Sequence, residues 1–188
     1  SLKPNVITET YMGNSVLWSL SYEWWFYMLF IFFSKKIPAS KLNFWVNICT
    51  ITAAVSYLIY PFFINRIVMF FAIFWIGVRL AETYLKGEIY TFKSIKKYSY
   101  VLLLIIALLS INLYINFEYT KTYDYPLVAY PFVALRNFVF AFLAMYGAIV
   151  WNKLNWFGFD KVFGVFRHLA PFSYVIYISH HYLVTKAT

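Results

Sequence analysis

The stretch Asn14–Ser34 reads NSVLWSLSYEWWFYMLFIFFS, and it decides the fold class. It is almost wholly apolar, and its length is close to the roughly 20 residues that a helix needs to cross a bilayer. Its one acidic residue is Glu23. An ionisable side chain at membrane depth costs about 3 kcal/mol or more, and chains that keep one there usually use it.

The composition of the whole chain points the same way. Of its 188 residues, 63% are hydrophobic, 24% are aromatic and only 12% are charged. A soluble domain carries about twice that share of charge. We therefore predict an all-α, polytopic membrane helical bundle that forms a single domain over residues 1–188. The net charge of +9 does not indicate nucleic acid, because the basic residues fall between apolar segments and there anchor cytoplasmic loops.

Apolar windows of spanning length predict about six membrane helices. They are Val16–Ser34, Asn43–Tyr60, Ile64–Leu85, Ser99–Phe117, Leu127–Trp151 and Pro171–Ala187. The second window is interrupted by Asn47, Thr50, Thr52 and Ser56. These polar side chains are expected to form hydrogen bonds to their own helix or to a neighbouring one.

The loops alternate in charge and predict the orientation. Basic loops at 35–42, 86–98 and 152–170 alternate with neutral or acidic ones. The positive-inside rule assigns the basic loops to the cytoplasm. Ser1 then lies on the outer side, and Glu23 lies in the outer half of the first helix. Because the chain begins at Ser1 rather than Met and stops just past an apolar segment, it is expected to be a fragment.

Several kinds of site are missing from the sequence. Cys49 is the only cysteine, so the chain can form neither an internal disulfide nor a cysteine metal cluster, and no metal is predicted. There is also no Gly-rich phosphate loop, no G-x-S-x-G elbow and no H-E-x-x-H pair.

Three arginines lie in or beside the predicted spans. Arg136, about ten residues into the fifth window, is expected near mid-bilayer and facing the bundle. It either pairs with a carboxylate or binds an anionic substrate. Arg79 is expected to pair locally with Glu82 at i+3, and Arg66 is expected to anchor the outer interface.

The last window and Glu23 carry the candidate acid–base groups. In PFSYVIYISHHYLV, Ser173, Tyr177 and His180 recur at i, i+4 and i+7 and share one helix face. His180 is either a hydrogen-bonded packing residue or a base, and a base needs an orienting partner on its other ring nitrogen. Glu23 is either a structural carboxyl group or a general acid/base, an orienting group or part of an acceptor site.

Two separate stretches of the sequence resemble motifs of a known family. Trp18-Ser19-Leu20-Ser21-Tyr22-Glu23, running into Phe26-Tyr27, resembles the W-S-L-S-x-E-x-x-F-Y signature of the integral-membrane acyltransferase 3 family. The stretch 173–180, SYVIYISH, is similar to the family's late S-Y-x-[IL]-Y-L-x-H stretch. Their order and topology agree with the family, while the middle of the chain matches only in hydropathy. The family has roughly ten spanning helices and a catalytic histidine on the first, so the resemblance implies the later part of the fold.

The resemblance implies an O-acyltransferase, commonly an O-acetyltransferase, of the bacterial plasma membrane. It would move an acyl group from cytoplasmic acyl-CoA to a hydroxyl of a cell-envelope polysaccharide or glycolipid, with no bound cofactor. Two alternatives stay open: a transporter or exporter of a glycan or lipid-linked substrate, and an inactive truncated remnant. The predicted site residues are Glu23 and His180 as catalytic, Trp18, Ser19, Tyr27, Arg136 and Tyr177 as substrate-binding, and Arg79 with the Lys86–Lys97 loop for acyl-CoA.

Overall fold

A computed structural model describes residues 18–88, 91–120 and 131–169, and this part of the chain is helical with no strand. Its six helices are α1 (Trp18–Lys36), α2 (Ala39–Ile59), α3 (Phe63–Leu85), α4 (Phe92–Thr120), α5 (Pro131–Lys153) and α6 (Phe159–Leu169). The predicted all-α membrane bundle is confirmed, because four of these helices contain stretches long and apolar enough to cross a membrane. A helix suits that environment because it satisfies its backbone hydrogen bonds internally.

The four membrane-length stretches are Ala39–Ile59, Phe63–Leu85, Tyr98–Ile115 and Phe132–Lys153. They correspond to the second to fifth predicted windows. The first window corresponds to α1, which is not among the four. The sixth window, Pro171–Ala187, lies outside the described residues. Instead, the sixth helix of the described chain is the short α6, within the predicted loop 152–170.

The helices pack mainly as two pairs of consecutive helices that are joined through α2. α2 packs most extensively on α3 and α4 on α5, while α2 also contacts α4 and joins the two pairs. The larger core lies among α2–α5 and centres on fully buried residues such as Tyr57, Ile105 and Phe138. A second core joins α1 to α2 and α3 through Phe33, Val46 and Phe71. The two cores share α2 and α3, so this hairpin is the centre of the bundle.

Asn65 fixes the turn between α2 and α3. Its Nδ2 donates to the Tyr60 carbonyl at 2.7 Å and to Ser56 Oγ at 3.2 Å, and its Oδ1 accepts from the Phe62 backbone N–H at 2.9 Å. The amide therefore satisfies backbone groups that the break at Pro61 would leave without partners. Thr50 Oγ1 donates to the Asn47 carbonyl at 3.0 Å. These bonds confirm, for Thr50 and Ser56, that the polar residues of α2 pair with their own helix or a neighbour.

Candidate functional site

The bundle has two ends of different charge. Consecutive helices run antiparallel, so Lys35, Lys41, Lys86 and Lys153 gather at one end, which we call the lysine-rich end. The starts of α1, α3 and α5 meet at the other, which we call the lysine-poor end. Contacts between α4 and α5 fix this arrangement. Ser99 Oγ lies 2.8 Å from the hydroxyl oxygen of Tyr146, so the beginning of α4 lies beside the end of α5.

A buried cation lies at the lysine-poor end. Arg66, one turn into α3, is only 5% exposed, and its guanidinium lies 5.8 Å from the centroid of the Phe70 ring. Tyr22 of α1 and Tyr57 of α2 are also buried, and both Arg66 and Tyr57 interact electrostatically with Tyr22. We call Tyr22, Tyr57 and Arg66 the arginine cluster. Arg66 is thus more enclosed than an interfacial anchor would be, and its predicted anchoring role stays a prediction.

Aromatic rings surround this cluster and join three helices. The Tyr22 ring meets Phe63 and Phe70 edge-on, with centroids 6.5 and 6.1 Å apart. Phe70 in turn lies 5.3 Å from Phe138, which brings α5 to the same place. Electrostatic interactions are stronger in such apolar surroundings than in water. A guanidinium, always charged and with five N–H donors, can orient tyrosine hydroxyls or hold a phosphate or carboxylate here.

Glu23 follows Tyr22 in the chain but faces away from the cluster. Its side chain is exposed, and within the described residues it forms no ion pair. Tyr27, one turn further along α1, is 55% exposed on the same face, as the i, i+4 spacing predicts. The motif therefore divides: Tyr22 packs inward, whereas Glu23 and Tyr27 lie on the outer surface of α1.

Arg136 also lies on an exposed surface, which corrects the prediction that it faces the bundle. The buried face of α5 is formed by Ala134, Phe138 and Met145. Arg136, two residues from both Ala134 and Phe138, projects from the opposite side. Its predicted role in substrate binding stays a prediction.

Arg79 lies near the lysine-rich end of α3. Its Nη1 forms an ion pair with Glu82 Oε2, which confirms the expected local i, i+3 pair. Its predicted role in binding acyl-CoA stays a prediction, and the neighbouring carboxylate offsets part of its charge.

A crevice of about 480 Å³ opens beside this pair, between the ends of α3 and α5 and the beginning of α4. Apolar side chains such as Leu80, Ile95 and Ile149 line it, together with the polar groups of Glu88 and Asn152. The crevice therefore combines an apolar wall with hydrogen-bonding groups, which is the usual make-up of a small-molecule site.

The remaining predicted site residues cannot be placed in this geometry. Tyr177 and His180 lie outside the described residues, as do the side chains of Trp18 and Ser19. In the part of the chain that the structure describes, no group of three or more His, Cys, Asp or Glu residues could hold a metal ion.

Sequence reasoning missed the arginine cluster. The signal was the spacing on α3, where Arg66 precedes Met69 by three residues and Phe70 by four, in register with the apolar face. Because α3 begins only a few residues before Arg66, the sequence was equally compatible with a position at the membrane interface. No protein-family model, curated protein or solved structure matches the chain.

Proposed function

We propose that the chain is part of a membrane O-acyltransferase that moves an acyl group, commonly acetyl, from acyl-CoA to a hydroxyl of a cell-envelope polysaccharide or glycolipid. The observation that carries the proposal is the position of the W-S-L-S-Y-E motif. Its Tyr22 lies in the arginine cluster, while its Glu23 lies on the adjoining exposed face of α1. A motif that contributes a tyrosine to a buried cluster around Arg66 and an exposed carboxyl group beside it suits the binding of a polar acceptor.

In the proposed reaction, the acceptor oxygen bonds to the acyl carbon while the thioester C–S bond breaks. The hydroxyl proton passes to a base and then to the departing CoA thiolate, so the thiol and an ester are the products. His180 is the candidate base in this chain, and Glu23 would orient the base or the acceptor hydroxyl. Arg66 would hold an anionic group of a glycolipid acceptor and position its hydroxyl.

The crevice at the lysine-rich end is the proposed donor site. Lys86 and Lys153 directly adjoin its lining residues Gly87 and Asn152, and both lysines are exposed. Their charge would attract the CoA phosphates, while the apolar wall would receive the acyl and pantetheine chain. A crevice at the opposite end from the arginine cluster fits a donor and an acceptor that approach from opposite sides of the membrane.

The central test is acyl transfer by the natural full-length protein in membranes. Radiolabelled acetyl-CoA is supplied, and label in the glycan and glycolipid fractions is counted. We expect transfer to fall at least tenfold in Glu23→Gln, whereas Asp160→Asn, which removes an exposed carboxyl group on α6, leaves it unchanged. If the wild-type protein consumes no acyl-CoA and transfers no label, the acyltransferase proposal is wrong.

The donor crevice has its own test. Ala148→Trp places a large ring in the crevice, and Ala144→Trp places the same ring one turn away, outside the lining residues. We expect Ala148→Trp to raise the KM for acyl-CoA about tenfold, the equivalent of roughly 1.4 kcal/mol of binding. Equal KM values in the two variants would contradict this site.

A second candidate is transport of an anionic glycolipid, and the burial of Arg66 favours it. Ionisable residues inside membrane bundles commonly line a substrate pathway. A transporter needs no thioester, so movement of labelled glycolipid across vesicles without acyl-CoA would support this candidate against the enzyme.

A further inference from the structure

α6 is joined to the end of α5 by a compact turn. Between Lys153 and Phe159 the backbone takes left-handed conformations at Asn155, Trp156 and Gly158, with φ of 51°, 54° and 76°. The indole Nε1 of Trp151 donates to the Phe157 carbonyl at 2.9 Å and ties the turn to α5. The position of α6 is thus coupled to the end of a membrane-length helix.

The sequence of α6, FDKVFGVFRHL, separates apolar from charged positions. At 3.6 residues per turn, Phe159, Val162, Phe163, Phe166 and Leu169 fall in one stripe. The charged positions at 160, 161 and 167 fall in the opposite half of the helix. The eleven described residues of α6 extend about 16 Å, which is about half the thickness of the hydrocarbon core of a bilayer.

Among the side chains that the structure describes, this stripe is covered only in part. The Trp151 ring lies 5.4 Å from Phe159 and 5.5 Å from Phe163, which directs the stripe towards the end of α5. Even so, Phe159 and Phe163 are each 40% exposed, and Phe166 is 58% exposed. In water this exposed aromatic surface would be unfavourable, because burying apolar surface is worth about 25 cal/mol per Å².

We propose that α6 lies in the plane of the membrane interface, with its phenylalanine stripe in the lipid and its charged face among anionic headgroups. The occupant of the stripe is the bilayer that α5 crosses, because Trp151 and Trp156 are of the type that marks a membrane boundary and they contact α6 directly. Lys153, Lys161 and Arg167 against Asp160 give this segment a net charge of +2 (three minus one), which favours anionic lipid. This proposal is independent of the enzymatic one.

The test measures the depth of single nitroxide labels on the full-length protein, in a Cys49→Ala background. Labels at Phe163→Cys and Lys161→Cys differ by two positions and lie on opposite faces of α6. The protein is reconstituted in vesicles of equal parts phosphatidylcholine and phosphatidylglycerol, and collisions with oxygen and with a water-soluble nickel chelate are compared. Phe166→Cys replaces Phe163→Cys if the latter variant does not fold.

We expect the label at 163 to collide mainly with oxygen and the label at 161 mainly with nickel. Equal nickel accessibility at the two positions would mean that α6 lies in water, and protection of 163 from both reagents would mean that protein covers it. Either result overturns the proposal. In vesicles of phosphatidylcholine alone, we expect the oxygen preference at 163 to weaken; an unchanged preference would overturn the assignment of anionic lipid.

Discussion

Arg66 and Arg79 lie on the same helix and have opposite environments. Arg66 is 5% exposed among tyrosine and phenylalanine rings, whereas the Arg79 side chain is 27% exposed and is paired with Glu82. Thirteen residues separate them, which turns their side chains roughly 140° apart around α3. The difference teaches that the environment of a charge at a helix end depends on which neighbouring helix covers that face.

The covering helices also account for the difference in chemistry. α1 packs against the beginning of α3 and supplies Tyr22, while α2 supplies Tyr57. At the lysine-rich end, Arg79 has an acidic neighbour on its own helix and remains open to the surroundings. The lysine-poor end is therefore suited to holding a charge in a fixed orientation, and the lysine-rich end to attracting charged molecules from solution.

Charge reversal at Arg66 and Arg79 should give the largest difference in stability between the two ends of the bundle. Arg66→Glu places an acid among buried tyrosines in place of the native cation. Because uncompensated buried charges cost about 3–5 kcal/mol, we expect a loss of stability of that order. Arg79→Glu changes a partly exposed pair and should cost less than about 1 kcal/mol. Thermal unfolding of the purified protein in detergent measures both, and equal losses would contradict the burial of Arg66.

Removing the Phe138 ring tests whether α5 supports the arginine cluster. Phe138 is fully buried against Phe70, so Phe138→Ala should destabilise the protein by roughly 3 kcal/mol through the cavity it leaves. Phe140→Ala is the matched control, because that ring is 72% exposed. The same unfolding assay applies. A Phe140→Ala loss as large as that of Phe138→Ala would show that the buried face of α5 has been misassigned.

Asn65→Ala tests the turn that positions Arg66. The variant loses the hydrogen bonds to the Tyr60 carbonyl and the Phe62 N–H, and we expect it to cost about 1–2 kcal/mol. Asn65→Asp keeps the oxygen that accepts from Phe62, so its loss should be smaller. The order of the two midpoints in a denaturant titration is the measurement. Equal losses would mean that the donor bonds to Tyr60 and Ser56, which both variants lack, account for the whole effect.

The smallest effect is expected for the Arg79–Glu82 pair. A double-mutant cycle with Arg79→Gln and Glu82→Gln should give a coupling of about 0.2–1 kcal/mol, because exposed pairs are screened by solvent. The coupling should also weaken as salt is raised. A larger coupling that salt does not change would mean that the pair is buried, and the contrast between the two ends would then be smaller than described.

Sequence patterns predicted much of the fold because an apolar run of about 20 residues is what a helix needs to cross a membrane. The window Asn43–Tyr60 matches the boundaries of α2 to within four residues. The window Ile64–Leu85 matches those of α3 to within two residues. The Arg79–Glu82 pair followed from spacing on one helix. The helix α6 was missed because residues 152–170 were assigned as a loop from their charge alone. The helical spacing of their phenylalanines was not considered.

Site geometry was less predictable, since it depends on which helices touch. Arg66 was expected to anchor the interface and Arg136 to face the bundle, whereas the first is buried and the second is exposed. Hydropathy windows do not specify how a helix is rotated about its own axis.

The sequence by itself determined the membrane class, the boundaries of the central helices and the local pair at Arg79, because each depends on residues close together in the chain. Tertiary structure alone decided that Tyr22 from α1 and Tyr57 from α2 are buried in one cluster with Arg66 of α3. In the sequence, Tyr22 lies 35 residues before Tyr57 and 44 residues before Arg66. Contacts over such separations form only when the helices pack, so helix rotation and neighbour choice fix where the charge is buried.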